Sequence, residues 1–137
     1  MWAVEGLGVH GPVQPRPAGP DTVLVSTRSH STPELQQLIE RWLRDGLISS
    51  NERMGGSGAK VVRLLENSAQ VYVHLGPGTK KWDSCAPEAV LREAGGLLTD
   101  VDGRPLHYDS APGHVPNLNG LLGTVPHLDQ QLYVSRL

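Results

Sequence analysis

The stretch TVLVSTRSHSTPELQQLIERWLRDG, residues 22–46, constrains the fold more than any other part of the chain. Its first seven residues are β-branched-rich and read as a strand. A helix follows at once. Ser31 or Thr32 caps it, and Pro33 suits its first turn. Leu35, Leu38, Ile39, Trp42 and Leu43 recur at helical spacing, with Glu40 and Arg44 as an i, i+4 pair on the wet side. Gly46 stops it. A strand followed at once by an amphipathic helix is one unit of an alternating α/β pattern.

The pattern continues downstream. NERMGGSG leads into a helix over AKVVRLLENSA, with Val61, Val62 and Leu65 on one side, and QVYVHL (70–75) reads as a strand. A third helix runs from about Asp83 to Ala94, with Pro87 in its first turn and Gly95–Gly96 ending it. Cys85, Ala86, Ala89 and Val90 form a narrow apolar face of small side chains, with Glu88 and Arg92 paired outside it. LLTDVDGRPLHY reads as two short strands around a turn, LNGLLGTV as another strand and PHLDQQLYVSRL as a final helix. WAVEGLGV at the start reads as a strand, and the Pro- and Gly-rich residues 11–20 exclude a central one. The fold class is α/β, in a single domain over 1–137.

Composition narrows the partners. A hydrophobic content of 38% and a charged content of 19% describe a soluble globular chain. A net charge of −2 gives no general attraction to nucleic acid or an anionic membrane, so any phosphate site must be local. Cys85, the one cysteine, excludes an internal disulfide and a cysteine-based zinc site, and fits a reducing compartment. No apolar run approaches the roughly 20 residues of a membrane helix, and the N-terminus lacks the pattern of a signal peptide.

Four stretches offer chemistry. GGSGAK (55–60) places glycines, Ser57 and Lys60 at a helix start, where free N–H groups and an ammonium favour an anion; the plain alternative is a flexible turn with a solvated lysine. It is not a Walker A loop, because Val61 stands where a Ser or Thr would meet magnesium. STRSHS (26–31) sets hydroxyls and His30 at a strand end, where α/β sheets collect ligands, unless the serines merely cap. TDVDGR resembles the Asp-x-Asp of a haloacid-dehalogenase-like nucleophile, but Asp-Gly before a returning strand is the stronger hairpin signal. Asp83 at a helix start either caps it or offers a carboxylate oxygen to a hard cation; one carboxylate is too few for a site.

Together, TRSHS, GGSGAK and KKWDSCAPEAVLREAGGLLTDVDGRPLHY resemble the C-terminal half of the 3'(2'),5'-bisphosphate nucleotidases, a branch of the inositol monophosphatase-like, magnesium-dependent, lithium-sensitive phosphatases. The Trp-Asp-x-x-Ala…Glu-Ala-Gly-Gly signature is specific to that superfamily, and KKWDSCAPE favours the nucleotidase branch because inositol monophosphatases usually carry glycine where Pro87 stands. The resemblance runs from about Trp2 to Arg136. It implies the C-terminal α/β domain of the family's sandwich, a mixed sheet with packed helices. It implies that Asp83 binds Mg2+, that Thr27 and His30 contact the nucleotide, and that Gly56, Ser57 and Lys60 hold the AMP part and its phosphate. His74 is expected on the nucleobase side. The implied reaction is hydrolysis of adenosine 3',5'-bisphosphate to AMP and phosphate, in the cytoplasm, with no nucleic-acid or membrane partner.

Members of the family also carry a first half with paired glutamates and an Asp-Pro-x-Asp-Gly-Thr motif, which supply most metal ligands. Neither occurs in this sequence. The expectation is a partial gene model or natural short form that keeps the substrate-holding half and one metal ligand, has no catalytic residue of its own, and is inactive or nearly so alone. The alternatives are a non-enzymatic nucleotide-binding or interaction module, marked by an exposed apolar face around Trp2, Val4 and Leu7, or an inositol phosphate phosphatase of the same superfamily.

Overall fold

The computed structural model describes residues 1–11, 19–29, 31–109 and 115–137. In chain order the elements are β1 (Trp2–Val4), β2 (Gly8–His10), β3 (Val23–Thr27), α1 (Pro33–Arg44), β4 (Ser50–Met54), α2 (Ser57–Leu65), β5 (Val71–His74), α3 (Lys81–Glu93), β6 (Leu97–Thr99), β7 (Leu121–Thr124) and α4 (Gln130–Val134).

Strands β3 to β7 form one sheet in the order β4-β3-β5-β7-β6. The first three are parallel and the last two pairings antiparallel, so the sheet is mixed. The fold resembles the expected α/β architecture: helices cover both faces. Leu24, Val71, Val73 and Leu122 meet Leu35, Leu38, Ile39 and Trp42 of α1 and Tyr133 of α4 on one side. Val25, Tyr72, Leu98 and Leu121 meet Val61, Leu64 and Leu65 of α2 and Leu91 of α3 on the other. Period-two alternation along β5 sends Val71 and Val73 one way and Tyr72 the other.

Local chemistry explains most element ends. Thr32 is the cap of α1, accepting from the Leu35 N–H at 3.3 Å. Trp42 is fully buried; its Nε1–H donates to the Arg136 carbonyl at 3.1 Å and its ring packs edge-on to Tyr133 at 5.3 Å. Gly120 sits at φ 63°, and a Cβ there would lie 2.2 Å from the His74 carbonyl oxygen, so only glycine permits that approach.

Several expectations are corrected. SNERM is a strand, β4, at the sheet edge; its polar composition hid it, since an edge strand with a wet side needs few apolar residues. WAVEGLGV is not one strand but a two-stranded hairpin, β1–β2, turning through Gly6 at φ 76°. On α2 the inward residues are Lys60, Val61, Leu64 and Leu65, while Val62 is exposed. On α3 they are Ser84 and Leu91, while Cys85 and Ala86 face outward. Leu43 is exposed, and Arg44 approaches Asp45 at 3.7 Å rather than Glu40. The Glu88–Arg92 pair forms at 3.3 Å. The Asp-Gly turn after β6 closes with Asp100 N–H donating to the Arg104 carbonyl, but the returning segment makes a single bridge, Thr99 to Pro105, and no strand. The last helix spans only Gln130–Val134.

Candidate functional site

Chain path creates the site. From β3 the chain crosses to β4 on one side through α1, then returns past β3 to β5 through α2 on the opposite face. Loops leaving β3 and β5 therefore diverge, and a crevice opens at the carboxyl ends of the parallel strands. A cleft of about 160 Å3 lies there, lined by Thr27, Ser29, Gly56, Ser57, Lys60, His74, Gly78, Thr79 and Asp83. It joins Thr27, Gly56, Ser57, Lys60 and Asp83, five of the six residues singled out from sequence. The sixth, His30, lies outside the described residues.

Gly56 caps α2 at φ 78°, a conformation that suits glycine and leaves the first N–H groups of the helix without a side-chain cap. Ser57 begins the helix, and its hydroxyl lies 3.3 Å from the Tyr72 hydroxyl. Lys60 follows one turn on and is 3% exposed, so the flexible-turn alternative with a solvated lysine is excluded. Its Nζ donates to the Gly56 carbonyl at 3.2 Å and lies 5.4 Å from the Tyr72 ring centroid. Burial pulls the ammonium below its usual range. Burial also pushes the Tyr72 phenol up to about 12; its hydrogen bond with Ser57 acts the other way, and the Asp83 charge adds to the rise.

Asp83 faces this group from α3. The helix begins two residues before it, at Lys81, so Asp83 stands at the third helical position. Its Oδ2 accepts from the Lys80 N–H at 2.8 Å, and its own N–H donates to the Lys80 carbonyl at 2.9 Å. This is half of a capping box, since the lysine side chain at the cap has no acceptor to complete it. Asp83 thus caps the helix through Oδ2 and also lines the cleft. Behind it, the Asn117 amide donates to Thr79 Oγ1, Ser84 Oγ and the Lys80 carbonyl, fixing the helix head. Tyr108 adds a hydrogen bond to Ser84.

Asp83 is the one carboxylate lining the cleft, and no group of three or more His, Cys, Asp or Glu able to hold a metal occurs among the described residues. The residues present do not make a complete metal site. A larger cavity of about 460 Å3 opens beside Glu34, Arg41 and Asp102, but Arg41 is engaged there with the Arg136 and Leu137 carbonyls.

Sequence reasoning missed Ser29, Gly78, Thr79 and the supporting Tyr72. The alternation in QVYVHL carries a usable signal for Tyr72, because it puts Tyr72 and His74 on one face of β5, beneath the helix that bears Lys60. His74 does line the cleft, nearly fully buried.

By fold and by donor set, the molecule is an α/β domain whose switch-point cleft gathers a buried cation, hydroxyls and a helix start, a chemistry suited to an anion. More particularly, the chain belongs to the inositol monophosphatase family, whose family model matches residues 2–132. It is 39% identical over 138 residues to 3'(2'),5'-bisphosphate nucleotidase 1 of Rattus norvegicus, covering all of this chain and 42% of the relative. It is 36% identical over 104 residues to the 3'(2'),5'-bisphosphate nucleotidase CysQ of Escherichia coli K12, covering 76% of this chain and 39% of that protein. Among solved structures, CysQ of Bacteroides thetaiotaomicron matches with a TM-score of 0.66 at 25% identity, over 82% of this chain and 40% of its own. Inositol monophosphatase-II of Staphylococcus aureus shares the fold at a TM-score of 0.70 and 18% identity, over 95% and 47%. The chain thus spans less than half the length of the curated relatives it matches. No described helix is long and apolar enough to cross a membrane.

Proposed function

We propose that this chain is the nucleotide-holding part of a 3'(2'),5'-bisphosphate nucleotidase, the enzyme that converts adenosine 3',5'-bisphosphate to AMP and phosphate. One observation carries the reading: Thr27, Gly56, Ser57, Lys60 and Asp83, from three separate stretches of sequence, line one cleft at the carboxyl ends of the parallel strands. In this reading the α2 N–H groups, the Ser57 hydroxyl and the Lys60 ammonium hold a phosphate, while Thr27 and His30 meet the nucleoside. Asp83 contributes one ligand to Mg2+, with the other ligands supplied by residues beyond this chain. No hydrolytic step is assigned to these residues, and the isolated chain is inactive. A cytoplasmic location belongs to the same proposal.

The test is a pair of assays on the purified chain with adenosine 3',5'-bisphosphate: calorimetric binding, and Mg2+-dependent phosphate release with Asp83→Ala alongside. Binding without turnover is the expected result. Turnover that disappears in Asp83→Ala would overturn the dependence on outside ligands. Absence of binding would overturn the reading itself.

A second reading, an interaction module that pairs with a separate first-half polypeptide, is favoured by one observation. The β1–β2 hairpin exposes Trp2 at 57%, Val4 at 45% and Leu7 at 71%. Apolar residues grouped in this way on a surface mark contact with another body. Light scattering of the chain mixed with a first-half polypeptide from a relative tests it: a heterodimer lost in Leu7→Asp supports pairing, and persistent separation refutes it.

A further inference from the structure

Tyr72 contacts two residues of the cleft, Ser57 and Lys60, and neither the sequence signature nor the family match assigns it a part. It is fully buried, in the middle of β5, between Val25 on β3 and Gly123 on β7. Gly123 makes room for the side chains packed over this strand: a Cβ there would meet Leu64 Cδ1 at 3.0 Å and Leu98 Cδ1 at 3.2 Å, with the Tyr72 Cβ at 3.4 Å. The ring reaches α2 and its hydroxyl ends at Ser57, whose Oγ is the hydroxyl's one hydrogen-bond partner among the described residues. The ring face lies 5.4 Å from Lys60 Nζ.

At 3.3 Å either hydroxyl of the pair could donate, and the surroundings favour one direction. A buried phenol with one oxygen neighbour keeps its proton at neutral pH and must place it on that neighbour, because an unmade O–H bond in the interior is costly. That cost favours Tyr72 as the donor to Ser57 Oγ. In that direction Ser57 accepts, its own proton is left to point elsewhere, and the cleft it lines is where an acceptor would be. Resting on the nucleotidase reading above, we infer that Tyr72 is a positioning residue: its hydroxyl orients Ser57 as a hydrogen-bond donor into the cleft, and its ring holds the Lys60 ammonium beside that donor. The cleft is thereby set to receive a fully deprotonated oxygen, as a phosphate has, in preference to a ligand group that must itself donate.

The test is a double-mutant cycle on the full chain with Tyr72→Phe, Ser57→Ala and the pair, read by calorimetry with adenosine 3',5'-bisphosphate and, separately, inorganic phosphate. Loss of one neutral hydrogen bond corresponds to a weakening of about 3- to 10-fold. Tyr72→Phe is expected to weaken both ligands by that factor while Ser57→Ala does the same or more. The double variant should be no weaker than Ser57→Ala alone, because Tyr72 acts through Ser57. A purely structural role would instead give additive losses that follow the fall in melting temperature, and that outcome overturns the inference. Wild-type affinity in Tyr72→Phe overturns it too. If the wild-type chain binds phosphate but not the nucleotide, and the cycle is non-additive, the positioning role stands while the nucleotide reading falls. If it binds neither, both fall.

Discussion

Asp83 carries two assignments, helix cap and metal ligand, and two substitutions separate them. Asp83→Asn keeps an amide oxygen that can accept from the Lys80 N–H, the 2.8 Å bond seen in the structure. It removes the negative charge near the α3 N-terminus, which is worth about 0.3–1 kcal/mol. Asp83→Ala removes the charge and also leaves the Lys80 N–H without its acceptor. Loss of such a helix-start bond costs about 0.5–2 kcal/mol in addition. For 137 residues the unfolding entropy is about 0.3 kcal/mol/K, so each kcal/mol lost lowers Tm by about 3–4 °C. The Ala variant should melt several degrees below wild type and the Asn variant within about 3 °C of it, by differential scanning calorimetry. Any Mg2+-dependent gain in nucleotide affinity should vanish in both, since an amide oxygen lacks the charge a hard cation needs. Equal melting of the two variants would refute the capping geometry. Full retention of the Mg2+ effect in Asp83→Asn would refute the carboxylate's role as a ligand.

Other perturbations probe the frame around the cleft. Trp42→Ala, at a fully buried position with its N–H bonded to Arg136, should cost about 3–5 kcal/mol in urea unfolding. Gly120→Ala should cost at least about 2 kcal/mol, because it adds a Cβ at positive φ against the His74 carbonyl. With the Tyr72 phenol raised to about 12, the folded state keeps that proton where the unfolded chain loses it. Tyr72 therefore supports stability fully below about pH 10, and as pH rises to about 12 it forfeits up to about 2–3 kcal/mol. Tyr72→Phe should flatten that part of the stability–pH curve, and an unchanged slope would contradict the burial argument.

The sequence was most legible where one residue type has few jobs. The apolar spacing of α1, with Thr32 and Pro33 at its head, leaves little choice but an amphipathic helix. The glycine-flanked Ser57, with Lys60 one turn on, and Asp83 at a helix start stood out as residues, and the family resemblance assigned them to one ligand; the sheet order that brings them to one cleft is seen only in the fold. It was least legible where tertiary packing decides. SNERM pairs with β3 through its backbone, which no side-chain pattern advertises. Cys85 and Ala86 look apolar and small yet face outward, because α3 turns Ser84 and Leu91 toward the interior. Lys60 is the clearest case: a lysine is ordinarily solvated, and only the fold reveals it buried over Tyr72.

The proposed hold of the cleft on phosphate is tested most directly by Lys60→Met, with affinity for adenosine 3',5'-bisphosphate and Tm measured on the same sample. Methionine fills the space without a buried charge, so stability should hold or rise. Loss of a charge-assisted hydrogen bond should weaken the nucleotide by about 10- to 100-fold. Affinity falling while Tm holds is the result this account predicts; unchanged affinity in Lys60→Met would contradict it.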